Sequence, residues 1–549
     1  MSKKLKWSIL ILAVIAGAAF LYLRYRKSND FDGLIKEKLT SLVHKASNGL
    51  YKLSMEDIEI DLLKSTITAN NVLLVHDSIR MLVLDKYQEL PDDIFKVTLK
   101  KLVIKGISPQ DFINSNNIKL SQIMMDSPDV VITHQKRNYN RKDTGSVYNR
   151  IATKNETYEL KNLLLQNIRL SYKNVDKKNQ LTVLQNLTAV LDDIKIDATT
   201  ARDTSRFFFA KDAVIYLKKY ATITPNKLYH FSIDSIALNP RMKSMQAKSI
   251  RLLPMGSKDD FSDKVPYLKD RFDVDINDVN INNINWWGLL SNDGFFGDNM
   301  NLTGGFIKVY NDRRLPISGI SKVGNYPHQL LMALDFPVKM DQISINNVDI
   351  SYEEFNPASD ISGILEFKNT SGTIKNITNI PDQIAANMWM QVTANTKVMN
   401  EGNLNAVFNF DLSRAAGGYF TADATLGSMD GKKLNRASKG LGLVEIEDLV
   451  IDKLETHING NNDNANGTVL FAYHDLKIAA LKNEAEGKLK KRALLSFIAN
   501  NFVVKSNSPQ KGKAIKQQMV TYKRDTNRSF FNLIWQTMAE GIVLTAKGK

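Results

Sequence analysis

The chain has 549 residues, no cysteine, 43% hydrophobic residues and a formal net charge of +15. That hydrophobic content favours a folded protein over a disordered one, and the lack of cysteine excludes disulfides, thiolate metal sites and thiol catalysis. The charge lies at the two ends: residues 1–27 carry +6 and residues 487–549 carry +11, which leaves −2 for the body between them. Basic ends beside apolar segments indicate an anionic membrane surface, whereas a nucleic-acid-binding protein usually carries its basic residues on the folded body.

The N-terminus, residues 1–27, predicts a short cytoplasmic tip followed by a transmembrane helix. Residues 7–23 contain no charge and would span roughly 26 Å as a helix, at the short end of what a bilayer requires. The alternative is a signal peptide cleaved near Ala16, but the chain stays apolar after that point. We therefore expect an uncleaved anchor in the inner membrane, with the bulk of the chain in the periplasm. The predicted anchor residues are Trp7, Leu10, Leu12, Val14, Ile15, Phe20, Leu21 and Leu23.

Residues 28–50 predict an amphipathic helix. Apolar residues recur at spacings of three and four from Phe31 to Leu50, which is the helical period, and Gly49 supplies a stop signal. Such a helix either lies on the membrane or caps one end of the sheet that follows, and both interpretations remain open.

Residues 51–400 predict a mainly β body. Short runs of alternating apolar and polar residues, separated by Asn, Asp, Gly, Ser or Pro, indicate strands with one apolar face. Helical periodicity is limited to short stretches such as residues 110–118 and 381–386. These are too few to cover so many strands, so we expect an elongated, strongly curved antiparallel sheet that forms a trough or groove. The alternative is a sheet closed around a filled core.

A short phrase recurs along this body. Residues 165–172 align with residues 345–352, and looser copies begin at residues 191, 233, 276 and 446. Its first and fourth positions are apolar but of opposite parity, so a bulge at the Asn or Asp in the third position is needed to aim both at one face. The irregular spacing of the copies argues against a propeller or a regular β-helix. The predicted groove-lining residues are Leu165, Ile168, Leu170, Ile276, Ile281, Ile345, Val348 and Ile350.

Residues 401–485 predict a C-terminal β module, and residues 486–549 a basic, amphipathic helical tail. The tail has two apolar clusters, residues 489–502 and 530–542, separated by a Ser-Asn-Ser-Pro break. Aromatic and basic residues together suit a membrane interface, whereas the alternative is a pair of helices that plug one end of the trough. The residues predicted to face a membrane or partner are Lys490, Lys491, Arg492, Phe530, Phe531 and Trp535.

The layout resembles that of AsmA-like bacterial envelope proteins. An anchor, an amphipathic helix and strand phrases at residues 55–62 and 66–75 are similar to the start of such proteins. Residues 419–427 and 465–478 resemble their C-terminal part, the latter with a Gly…Tyr-x-Asp-Leu-x-Ile ending. The resemblance implies an inner-membrane anchor, a periplasmic β-groove and membership of the bridge-like lipid-transfer superfamily.

No catalytic motif is found. The seven histidines lack paired metal-ligand spacing, so we expect no enzyme activity, no cofactor and no metal. We interpret the chain as a membrane-anchored periplasmic protein for lipid transport or envelope maintenance, with phospholipids, a membrane or other envelope proteins as partners and no nucleic acid. The alternative is a membrane-anchored, β-rich scaffold or assembly factor for envelope proteins. A hydrolase whose site no motif marks is the third class that the sequence leaves open.

Overall fold

The computed structural model shows a mainly β protein, as the alternation in the sequence predicts. The residues it describes are 40, 43–44, 47–61, 63–106, 117–139, 157–176, 180–197, 199–200, 203, 206–207, 209–286, 294–484, 489–491 and 504–548. They contain 23 strands and six α-helices.

The elements follow one another with long strands and short helices. The strands are β1 (Tyr51–Ser54), β2 (Ile58–Asp61), β3 (Thr66–His76), β4 (Asp93–Lys105), β5 (Asn117–Asp126), β6 (Asp129–His134), β7 (Thr157–Asn174), β8 (Gln180–Ile196), β9 (Ala210–Ile223), β10 (Tyr229–Asn239), β11 (Ser244–Pro254), β12 (Arg271–Asn282), β13 (Phe295–Asp312), β14 (Val338–Asn356), β15 (Ile361–Thr378), β16 (Trp389–Val398), β17 (Gly402–Asp411), β18 (Phe420–Leu426), β19 (Met429–Asp430), β20 (Val444–Gly460), β21 (Asn464–Asn483), β22 (Leu489–Lys491) and β23 (Gln517–Lys523). The helices are α1 (Ser78–Lys86), α2 (Lys258–Asp263), α3 (Pro327–Met332), α4 (Pro381–Ala386), α5 (Asn435–Gly442) and α6 (Phe530–Ala546). Helix α4 confirms the helical stretch predicted at residues 381–386.

The chain divides into two compact units. The first comprises Met1–Tyr220, Ile233–Ala247 and Asn282–Gly294. The second comprises Ala221–Ser232, Lys248–Ile281 and Phe295–Lys549.

In the first unit, strands β3, β4, β5, β7, β8 and β9 pair side by side. Residues paired directly across neighbouring strands share a face of the sheet. One such row is apolar on all six strands, so this sheet has the apolar face that the alternation predicts. The row consists of Ala69, Leu102, Met125, Leu165, Ala189 and Ile215.

In the second unit, nine strands from β13 to β23 form the corresponding sheet. A row on one face is apolar throughout, and the row beside it on the other face is mostly polar. The apolar row consists of Met300, Ile343, Ile374, Val392, Phe408, Ala422, Ile458, Gly467 and Val520. The opposite row consists of Asn301, Ser344, Thr373, Thr393, Val407, Asp423, His457, Thr468 and Met519.

The sheets are mixed, so the prediction of a purely antiparallel arrangement was wrong. Strand β7 runs parallel to β5 and β6, and β14 runs parallel to β13. A parallel pair needs a long crossover connection, and residues 313–337 provide one between β13 and β14. Alternation of side chains indicates which face a residue occupies but not the direction of the neighbouring strand.

Bulges predicted within the recurring phrase are confirmed in two ladders. The β7–β8 and β14–β15 ladders each shift register twice, beside Asn167 and Asn347. These two residues adopt the left-handed conformation (φ 54° and 55°), as do Asn186 and Asn369 on the opposite strands (φ 58° and 53°). Asn tolerates this conformation better than most residues, so the apolar register resumes after each bulge.

The repetition extends beyond the phrase to the whole strand arrangement. In the first unit β5 and β6 run parallel to β7, which forms a bulged antiparallel ladder with β8. In the second unit β13 runs parallel to β14, which forms a bulged antiparallel ladder with β15. The strand before each pair is interrupted by left-handed backbone, at Ser127 (φ 52°) and at Gly304 and Gly305 (φ 69° and 107°). This correspondence supports an internal repeat.

We expect replacement of Asn347 by Val to lower the free energy of unfolding by about 1–2 kcal/mol, because a β-branched side chain disfavours the left-handed conformation. Asn347→Gly is expected to cost little, since glycine adopts positive φ readily. The matched control is Asn346→Val, which changes the adjacent exposed residue outside the left-handed region. Urea-induced unfolding measures all three, and equal losses for the two Val variants would contradict the argument.

The tail is only partly helical. Helix α6 agrees with the second predicted cluster, but β22 and β23 are strands within residues predicted to be helical. The error at β22 arises because Lys490 and Lys491, read as the polar face of a helix, instead pair with the end of β21. Arg492 and the rest of the first cluster, residues 493–502, lie outside the described residues.

The N-terminal predictions fall mostly outside the described part of the chain. The predicted anchor, residues 7–23, and residues 28–39 of the predicted amphipathic helix lie there. Residues 47–49 form a turn in which Gly49 has a φ of 77°, consistent with a stop at that position. None of the helices in the described residues combines the length and the apolar character that crossing a bilayer requires.

Candidate functional site

The C-terminal helix α6 packs on the apolar face of the second unit. Ser529 begins the helix, because its side chain accepts a hydrogen bond of 3.3 Å from the Asn532 amide. The buried residues of the helix recur at spacings of three and four, so one side of the helix contacts the sheet. They are Phe530, Leu533, Thr537, Gly541 and Thr545.

The first turn of α6 is held by an aromatic cluster. The Phe530 ring centroid lies 4.9 Å from Tyr326, 4.8 Å from Phe420 and 5.5 Å from Phe410. The Tyr326 and Phe420 contacts are edge-to-face, a favoured geometry for aromatic pairs. Phe530 is 6% exposed, so it belongs to the core and does not face a membrane.

Gly541 allows the middle of α6 to approach the sheet closely. A Cβ atom at this position would lie 2.4 Å from Cβ of Val469, and Val469 is fully buried. Any larger residue would therefore push the helix away from β21. Sequence analysis missed this role, although an isolated glycine inside an apolar helix is a signal of close packing.

The outer side of α6 is apolar as well. Phe531, Trp535 and Val543 are 67%, 51% and 43% exposed, and Glu540 is the single charged residue of the helix. A helix that only covers a sheet usually has a polar outer face. The exposure of Phe531 and Trp535 is consistent with their predicted role as membrane-facing or partner-facing residues.

The apolar face has a closed part and a partly open part. Ile458 and Val469, on β20 and β21, are fully buried, and α6 packs against these strands. Met300 on β13 and Ile343 and Ile345 on β14 are only half-buried. This half-exposed part is where an apolar ligand could gain contact without displacing a filled core.

The predicted groove-lining residues fall into three groups. Leu165, Ile168 and Leu170 lie on β7, where the first two are buried and the third is half-buried. Ile345, Val348 and Ile350 lie on β14, where Val348 is buried and the other two are half-buried. Ile276 and Ile281 are buried on β12.

The predicted basic contacts of the tail are engaged in ion pairs. Lys490 lies 2.7 Å from the Glu484 carboxylate. Lys491 lies 3.1 Å from Glu445 and also pairs with Glu447. These exposed pairs are weak, but they leave the two lysines with less free charge for a membrane than predicted.

A buried histidine lies beneath the aromatic cluster. His328 is fully buried, with its ring centroid 5.1 Å from that of Phe410. Within the described part of the chain, neither ring nitrogen has a hydrogen-bond partner. Burial lowers the pKa of His328 to about 4, an effect that the nearby Asp411 carboxylate partly opposes.

A polar cleft of about 570 Å³ lies beside the β14–β15 bulge. Its cations are matched by carboxylates: Lys368 lies 2.9 Å from Asp349, and Arg436 pairs with Glu366. The pairing leaves little free charge for a ligand. Among the residues that the structure describes, no three metal-ligating side chains come together.

No known family model matches the chain, and no curated protein matches it either. The resemblance to AsmA-like envelope proteins therefore stays a prediction that rests on the sequence phrases alone.

Proposed function

We propose that the protein is a membrane-anchored, periplasmic protein of the AsmA-like type that holds acyl chains on the apolar face of its sheet, in lipid transport or envelope maintenance. The observation that carries the proposal is the apolar row across nine strands of the second unit, whose Met300–Ile343 end stays half-buried. Each buried methylene of an acyl chain would contribute about 0.8 kcal/mol.

The ends of the chain support a location at a membrane. Residues 7–23 are uncharged and are flanked by Lys and Arg on both sides. An anchor there would hold the body next to the inner membrane, which is the source of lipid that the proposal needs.

A second candidate is a scaffold that binds an envelope protein. The exposed Phe531 and Trp535 side chains favour it, because exposed apolar patches commonly mark interaction surfaces. In this case the sheet face would be an ordinary core and would bind no lipid.

Mass spectrometry of lipids that copurify with the full-length protein distinguishes these candidates. We expect Ile345→Asp to abolish lipid copurification while the fold is retained, because a carboxylate on the half-exposed part of the apolar face excludes acyl chains. The matched control is Ser344→Asp, which places the same charge on the polar face of the same strand.

Circular dichroism of both variants separates a groove from a filled core. A buried carboxylate in a packed core costs several kcal/mol, so unfolding of Ile345→Asp, with no lipid on the wild-type protein, would favour the scaffold. Retention of lipid by a folded Ile345→Asp variant would refute acyl-chain binding at this face.

A further inference from the structure

The crossover between β13 and β14 exposes an unusual number of large apolar side chains. Residues 332–337 are all exposed in the chain as described. Soluble proteins rarely expose contiguous apolar surface without a binding role. The exposed apolar residues of the crossover include Ile317, Ile320, Leu330, Met332, Leu334 and Phe336.

This crossover is fixed to the start of helix α6. The Lys322 amide donates a hydrogen bond of 2.7 Å to the Thr526 carbonyl. Nη2 of Arg524 donates to the Lys322 carbonyl at 2.9 Å. The Tyr326 ring, in the same crossover, contacts Phe530. The exposed side chains of the crossover and those of α6 therefore belong to one structural region.

The charge of the adjoining tail indicates what this region binds. Residues 504–548 contain eight Lys or Arg and two acidic residues. Lys523 is exposed and Arg528 is half-buried, and both lie within the seven residues before α6. Exposed aromatics next to cations are typical of segments that lie in the interface of an anionic bilayer.

We propose that the outer side of α6 and the crossover, residues 315–336, form one docking surface for a bilayer that contains anionic phospholipid. The apolar side chains insert among the lipids, and the cations of the tail contact the headgroup phosphates. The proposal goes beyond acyl-chain binding on the sheet face, which requires neither set of exposed side chains.

The absence of cysteine from the chain permits a direct test with single-cysteine variants of the full-length protein. Trp535→Cys on α6, Leu334→Cys on the crossover and Met242→Cys, an exposed control in the first unit, are each labelled with an environment-sensitive fluorophore. Each variant is reconstituted into vesicles of phosphatidylcholine alone or of phosphatidylcholine with phosphatidylglycerol.

We expect the emission at positions 535 and 334 to shift to shorter wavelength in the anionic vesicles and to be quenched by brominated acyl chains, with no change at position 242. The shift is expected to be smaller in phosphatidylcholine alone and to weaken with salt, because screening reduces the charge attraction. A shift at only one of the two positions would overturn the joint surface. Equal shifts in the two kinds of vesicle would overturn the selection for anionic lipid, and no shift at either position would overturn docking altogether. Lipid copurification reports on the sheet face and is independent of these outcomes.

Discussion

Replacement of Phe530 by Ala is expected to lower the free energy of unfolding of the second unit by about 3–5 kcal/mol, the usual cost of removing a buried phenyl ring. The ring fills the aromatic cluster of Tyr326, Phe410 and Phe420, so its loss leaves a cavity under the first turn of α6. Urea-induced unfolding followed by fluorescence measures the effect.

The adjacent residue provides the matched control. Phe531 is 67% exposed, and its replacement by Ala is expected to change the free energy of unfolding by less than about 0.5 kcal/mol, as for most surface positions. Similar losses for the two variants would contradict the packing of α6 on the sheet. A large loss for Phe530→Ala alone would establish that the tail is part of the second unit's core.

The two interpretations of the tail can both hold for α6. The side that carries Phe530 and Gly541 contacts the sheet, while the side that carries Phe531 and Trp535 faces outward. Helical spacing in the sequence identifies both sets as apolar, but it cannot tell which set meets the protein. That distinction depends on β20 and β21, which are distant in the sequence.

Local features of the fold could be predicted from the sequence. The alternation of apolar residues indicated one apolar face, because neighbouring residues of a strand point to opposite sides. The parity conflict in the recurring phrase indicated the bulges at Asn167 and Asn347, since the apolar side chains on either side had to share that face. Both predictions rest on the geometry of a single strand.

Pairing between distant segments could not be predicted in the same way. The parallel alignment of β13 with β14 depends on the crossover of residues 313–337, which reads as an ordinary loop with short apolar runs. Strand β23 lies in a segment rich in lysine, and its place beside β21 is set by tertiary contacts. Composition alone therefore favoured a helical tail.

Lowering the pH from about 6.5 to about 4 is expected to destabilise the second unit through His328. The pKa of this imidazole is lowered by burial from its ordinary value of 6.5 to about 4. Between these values the unfolded chain takes up a proton that the folded protein does not, so stability falls as the pH falls. A pKa difference of that size corresponds to about 3 kcal/mol.

Two neighbouring groups decide how much of this effect is seen. The Asp411 carboxylate would attract a protonated His328, but it already pairs with Arg414 at 2.6 Å and is itself buried. It therefore compensates only part of the cost of a buried imidazolium. The aromatic rings of Phe410 and Tyr326 offer no hydrogen-bond acceptor in the plane of the imidazole, which leaves desolvation dominant.

The variant His328→Phe tests this assignment, because it keeps a ring against Phe410 and removes the titrating group. Subtracting its free energy of unfolding from that of the wild type, at each pH in urea titrations, removes the contribution of the other carboxylates. We expect the difference to be flat above pH 6.5 and to fall steadily toward pH 4. The exposed His474 is a control of opposite sign, because its hydrogen bond to Asp452 raises its pKa, so its contribution is present at low pH and is lost as the pH rises. A difference curve for His328→Phe that stays flat from pH 7 to pH 4 would show that the imidazole reaches solvent and is not sealed beneath α6.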